Sequence, residues 1–118
     1  MTLKLSYQQA GALFDLFNDM VLFGYVYSFE DKLVLRHMIS IYKKLRTKCE
    51  GPPRKTYSIT ISDCEALAYR IYWRDHDISH CQFEWAFIVT HCMRIDLELN
   101  STHVQINNTY KLLNQNGY

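Results

Sequence analysis

Six cations fall within thirteen residues, Lys43, Lys44, Arg46, Lys48, Arg54 and Lys55, relieved only by Glu50. Side chains of that type and density neutralise nucleic-acid phosphates and release their counterions, a chemistry that needs clustered positive charge but no fixed motif. Upstream, Lys32, Arg36, Ser40, Lys43 and Thr47 recur at helical spacing, so one helix presents a basic face that runs into the cluster. The whole chain nevertheless carries a net charge of only +1, whereas a dedicated nucleic-acid binder is usually basic overall. Residues 1–55 hold nine basic and five acidic side chains, and residues 56–118 hold four and seven. A solvated helix face with cations near the negative end of its dipole is therefore the first reading of the cluster. Nucleic-acid binding through these six residues is the alternative, and reversing Lys43, Lys44 and Arg46 is then expected to abolish it while leaving folding intact.

Histidine and cysteine sit close together in Asp75-His76-Asp77, His80-Cys81 and His91-Cys92. A zinc site needs three or four such ligands converging at roughly 2 Å, and none of these spacings follows a known zinc pattern. His80 and His91 share a helix face about 16 Å apart, too far to hold one ion. A thiol nucleophile fares no better, because adjacent helical residues such as His91 and Cys92 point about 100° apart. The chain has no glycine-rich phosphate loop, no Gly-x-Ser-x-Gly and no His-Glu-x-x-His. The expectation is a non-enzyme with no catalytic residue, no cofactor and no metal. Cys49, Cys64, Cys81 and Cys92 read as free thiols, with Cys64 and Cys92 as small core residues.

These side chains must be positioned by elements, and the elements announce themselves through an internal echo. Leu3 and Leu5 alternate with polar residues and run into Ser6-Tyr7-Gln8-Gln9; Ile59 and Ile61 alternate likewise and run into Ser62-Asp63-Cys64-Glu65. Period-two apolar residues mark a half-buried strand, and Ser followed three residues later by Gln or Glu is a capping box. Both copies turn from strand to helix at the serine. The first helix is expected over Tyr7 to Phe23 with Gly24 as its stop, and the second from Ser28 to about Lys48, ended by Gly51-Pro52-Pro53. A strand over Tyr57 to Ile61 then leads to a third helix ending near Trp73. A fourth is expected over about His80 to Leu97, capped by Ser79 with Gln82. In the tail, Val104 and Ile106 suggest a short strand within 103–107, and 109–113 a helical turn.

With 118 residues, 48% of them hydrophobic, and only 4 Gly and 2 Pro, the chain reads as one folded domain, residues 1–118. The fold expected is α+β and mainly helical, with about four helices and a small antiparallel sheet, since two strands in water need each other and a helical support. It resembles two β-α-α repeats, residues 1–50 and 56–100, followed by an Asn-rich tail over 101–118. The wide apolar faces of the first and fourth helices exceed what one small domain needs, which points to a protein partner and to a homodimer through Phe14, Phe17, Trp85, Phe87 and Ile88. Tyr25 and Tyr27 are further candidates for a contact surface, while Tyr69, Tyr72 and Trp73 read as a core stripe. No apolar run approaches the roughly 20 residues of a membrane span, so the expected setting is the cytoplasm.

Overall fold

The two strand-to-helix turns form in the same way. In the computed structural model, which describes the backbone of residues 1–24 and 28–115 and the side chains of residues 1–24 and 28–99, Ser6 Oγ accepts from Gln9 N at 3.1 Å and Gln9 Oε1 accepts from Ser6 N at 2.9 Å. Glu65 N donates to Ser62 Oγ and Ser62 N to Glu65 Oε1 at the same two distances. Each box satisfies two donors that a helix start leaves orphaned. The elements so bounded are β1 (Thr2–Ser6), α1 (Tyr7–Leu16), α2 (Phe29–Glu50), β2 (Thr56–Thr60), α3 (Asp63–Asp75) and α4 (Gln82–Gln115). The result is a mainly helical α+β fold carrying a two-stranded antiparallel sheet.

β1 and β2 pair antiparallel, with Leu3 opposite Ile59 and Leu5 opposite Tyr57. Those four side chains point inward and are buried, while Lys4, Thr56, Ser58 and Thr60 face solvent. The ladder extends past both ends, because Met1 and Ile61 exchange both of their backbone bonds and Tyr7 N donates to the Lys55 carbonyl. Antiparallel pairs alternate between hydrogen-bonded and open rungs, so the carbonyls of Thr2, Lys4 and Thr60 turn away from the ladder. Side chains from the helices close these edges. Arg94 Nη1 donates to the Thr2 carbonyl at 2.7 Å, His91 Nε2 meets the Lys4 carbonyl at 3.1 Å, and Lys44 Nζ donates to the Thr60 carbonyl at 3.0 Å. A sheet of two strands has nothing but edges, and here α4 covers one and α2 the other.

Each half reads β-α-α, yet the halves are interleaved. The strand of the first half pairs with that of the second, and α2 packs most extensively against α3. One buried cluster draws on every element, including Leu13, Phe17, Met38, Leu45, Ile59, Tyr69, Ile88 and Ile95. Aromatic rings join the layers: Phe14 stacks on Tyr42 at 5.4 Å, and Trp73 presents its edge to Phe17 at 6.2 Å and to Tyr69 at 6.1 Å. Tyr69, Tyr72 and Trp73 are all buried, as a core stripe requires.

Several boundaries differ from expectation. The first helix loosens after Leu16 into a π turn, Phe17–Val21, in which Leu22 N reaches back five residues to the Phe17 carbonyl at 3.2 Å. It keeps Phe17 and Val21 buried and lets Asn18 Oδ1 accept from the Tyr42 hydroxyl at 2.9 Å. α2 ends at Gly51, whose backbone is extended (φ −78°, ψ −175°) rather than left-handed; the proline at 52 pushes its predecessor out of the helical region. Ser79 does not cap α4, because its N–H is held by Asp77 Oδ1 at 2.9 Å in the preceding loop, and the helix opens at Gln82 with Trp85 N bonded to the Cys81 carbonyl. α4 then continues to Gln115, so the strand within 103–107 and the isolated turn at 109–113 are replaced by one helix. A third strand would need an open edge, and both edges are already occupied by side chains. Cys64 is exposed, not core, because Glu65 turns inward to complete its cap and rotates its neighbour outward. No helix among the described residues is long and apolar enough to cross a membrane.

Candidate interaction surface

The cationic cluster divides into two kinds of residue. Lys44, on the second turn from the end of α2, places Nζ 2.7 Å from Glu65 Oε1 of α3 as well as on the Thr60 carbonyl. Arg46 pairs with Glu50 one turn along at 2.8 Å. Lys43, Lys48, Arg54 and Lys55 are exposed and make no ion pair among the described residues. The basic face of α2 is also interrupted, since Ser40 donates to Glu65 Oε2 at 2.8 Å. Glu65 itself is 4% exposed. Burial alone raises its carboxyl, but hydrogen bonds from Lys44, from the Ser62 backbone and from Ser40, with the Lys44 charge, outweigh that and hold it down at about 2. Reversing Lys44 would set a carboxylate against this one, so reversal with folding intact is expected only of the cations outside this pair.

The five residues assigned to a partner interface also separate. Phe17, Phe87 and Ile88 are buried in the chain's own core; this corrects their assignment, because the strands and α3 already cover the inward stripes of α1 and α4. Phe14 and Trp85 are half-buried and keep accessible surface. What α4 does present outward is a row spaced four residues apart. Trp85 and Val89 are half-buried, Met93 is 61% exposed and Leu97 71% exposed. Beside the row lies a hollow of about 250 Å³ lined by Arg70, Trp73, Trp85, Val89, Met93 and Asp96, with Arg70 and Asp96 paired across α3 and α4 at 2.9 Å. A second group of exposed apolar side chains, Leu22, Phe23, Phe29 and Leu33, flanks residues 25–27; the candidates Tyr25 and Tyr27 lie outside the described residues.

His76 and Cys92 serve local structure. His76 stacks on Tyr72 with ring centres 4.0 Å apart and its Nδ1 lies 2.8 Å from the Tyr72 carbonyl. Asp77 caps Ser79, and Cys92 is buried with its thiol pushed up to about 11 by desolvation. Among the described residues no three His, Cys, Asp or Glu side chains are grouped to hold a metal ion. A hollow of about 730 Å³ is bordered by Tyr7, Phe14, Asp15, Cys49, Tyr57, Cys81 and Glu84. The one buried polar side-chain atom without a partner among the described residues, Trp73 Nε1, lies elsewhere.

Two polar clusters were missed by sequence reasoning. Glu65 is legible as the third residue of a capping box, but its partners Ser40 and Lys44 lie more than twenty positions away. The other cluster joins Tyr69 Oη to His91 Nδ1 at 3.0 Å and continues to the Lys4 carbonyl. Its one signal is that both residues fall on core-facing stripes, where a polar atom must find a partner. Compared with known protein families, curated proteins and solved structures, the chain matches none.

Proposed function

We propose that this chain is a non-catalytic interaction protein that pairs with a second copy of itself through the outer row of α4. The observation that carries the reading is the row Trp85, Val89, Met93 and Leu97, which opens progressively to solvent along a helix continuing to Gln115. Ridges of residues four apart interdigitate with ridges of the same kind, and a two-fold pairing is the commonest way for one such surface to meet another. The flanks favour a copy of the same chain, because Arg70 with Asp96 and Arg94 with Glu98 supply both charge signs and leave no single-sign field to repel it. Absolute mass by light scattering at low and high salt tests this. A dimer is expected at both, with Met93→Glu reducing it to a monomer of unchanged helicity; a wild-type monomer at both salts would sink the reading.

The second reading, nucleic-acid binding, draws on Lys43, Lys48, Arg54 and Lys55, which stand exposed at the end of α2 and in the joint before β2. Four phosphate contacts predict roughly a hundredfold loss of affinity between 50 and 200 mM salt. Reversal of these four, with Lys44 and Arg46 left in place, is expected to remove binding without unfolding the chain. Four free thiols fit a reducing, cytoplasmic setting. We also read the two β-α-α halves as copies of one unit, which is supported by their matching capping boxes and by Leu3 and Ile59, equivalent in the echo, standing opposite each other in the ladder.

A further inference from the structure

His91 is 6% exposed and is held between two elements other than its own, Tyr69 of α3 on one ring nitrogen and the Lys4 carbonyl of β1 on the other. A carbonyl only accepts, so Nε2 must carry a hydrogen. In a neutral ring Nδ1 is then an acceptor and receives the Tyr69 hydroxyl. The bonds run in one direction, from Tyr69 through the ring to β1, and the Trp73 Nε1–H faces the Tyr69 oxygen without reaching hydrogen-bond geometry. A second proton on the ring breaks this order. Nδ1 becomes a donor, the Tyr69 hydroxyl must turn to accept, and in a fully buried site its hydrogen gives up the acceptor it holds while the ring is neutral.

The surroundings make that proton unwelcome. The groove beside the ring holds Lys4 from β1, Gln9 from α1, and Thr90 and Arg94 from α4, so its charged lining is two cations and no carboxylate. On α4, Glu98 is engaged with Arg94 at 3.3 Å and Asp96 with Arg70 at 2.9 Å. From α3 the neutral Tyr69 hydroxyl faces the ring, and the neighbouring Cys92 thiol is buried. Burial lowers the affinity of His91 for a second proton, the Lys4 carbonyl bond opposes this in part, and the Arg94 charge adds to it.

We propose that His91 is a pH-sensitive latch that ties α4 to the outer edge of β1 and to α3 while its ring is neutral, and frees that stretch of the helix when the ring takes a second proton. Lowering the pH then opens α4 along the Phe87–Ile95 stretch while leaving the α2 and α3 packing in place, since that packing includes no group of the latch other than Tyr69.

The test follows the His91 ring by carbon-detected NMR in the full chain from pH 7.5 to 4.5, beside amide protection factors corrected for intrinsic exchange. The latch predicts a titration midpoint below 6.5, with α4 protection near residues 87–95 falling by up to about tenfold per pH unit between 6.5 and that midpoint and levelling off below it, while α2 amides hold. His91→Gln keeps a donor for Lys4 and an acceptor for Tyr69 without titrating, and is expected to flatten the α4 response. A ring that titrates with no loss of α4 protection overturns the proposal, as does an unchanged pH response in the variant. If that variant does not fold, the wild-type pair of curves decides alone, since α4 protection lost outside the window between 6.5 and the ring's midpoint also overturns it.

Discussion

Glu65 begins as a capping residue and ends as a hub. Its two oxygens take the Ser62 backbone N–H, the Ser40 hydroxyl and the Lys44 ammonium, so one carboxylate joins the start of α3 to two successive turns of α2. Its carboxyl is held near 2 against an ordinary value of 4.5. A depressed acid contributes stability that is complete above the unfolded value and is lost as pH falls through the folded one. Urea unfolding is therefore expected to show stability declining between pH 4.5 and about 2, and Glu65→Gln should flatten that slope. Lys44→Met strands a buried carboxylate and should cost about 1–3 kcal/mol at neutral pH, whereas Lys43→Met, at an exposed position without an ion pair among the described residues, should change stability by less than about 0.5 kcal/mol. Equal effects at the two lysines would contradict the division of the cluster. Sequence reasoning saw six equivalent cations here, because charge and spacing do not reveal which of them meets an acid from another helix.

Among the elements, what was legible was what short-range chemistry decides. Both strands follow from period-two alternation, both capping boxes and the Ser28 cap of α2 from neighbours three residues apart, and the antiparallel pairing follows because neither strand has another partner among the described residues. The π turn, the start of α4 and the helical course of residues 103–113 were not legible. They depend on what packs alongside: Asn18 reaching Tyr42, Asp77 claiming Ser79, and the absence of an open sheet edge. Replacing either Ser6 or Ser62 by Ala should cost about 1 kcal/mol, with Ser62→Ala the larger because the same change loosens Glu65. Ile59→Ala, at a buried position facing Leu3, should cost about 2–5 kcal/mol. Thermal unfolding monitored by circular dichroism checks all three, and a Ser6 variant less stable than the Ile59 variant would place the sheet outside the core.

At the scale of the whole molecule, the echo in the sequence describes two halves that do not close on themselves. Among the described residues the strands pair only with each other, the edge carbonyls of β1 are capped from α4 and that of β2 from α2, and a single cluster spans both halves. Residues 1–55 and 56–118 made as separate polypeptides are therefore expected to show no cooperative unfolding transition in isolation, and a stable fold in either piece would contradict the interleaving. Order in time follows from the same pairing. β1 meets its partner between 50 and 58 residues downstream, and the side chains that close its outer edge arrive more than thirty residues later still. On the ribosome, the first strand leaves the exit tunnel long before anything exists for it to pair with. Helices α1 and α2 can form locally in that interval, while the sheet must wait for β2, and the closing of its outer edge for α4, whose contacts with β1 span 87 and 92 positions. A slow final folding step, with Leu3 and Leu5 waiting exposed until then, is the kinetic signature this arrangement predicts.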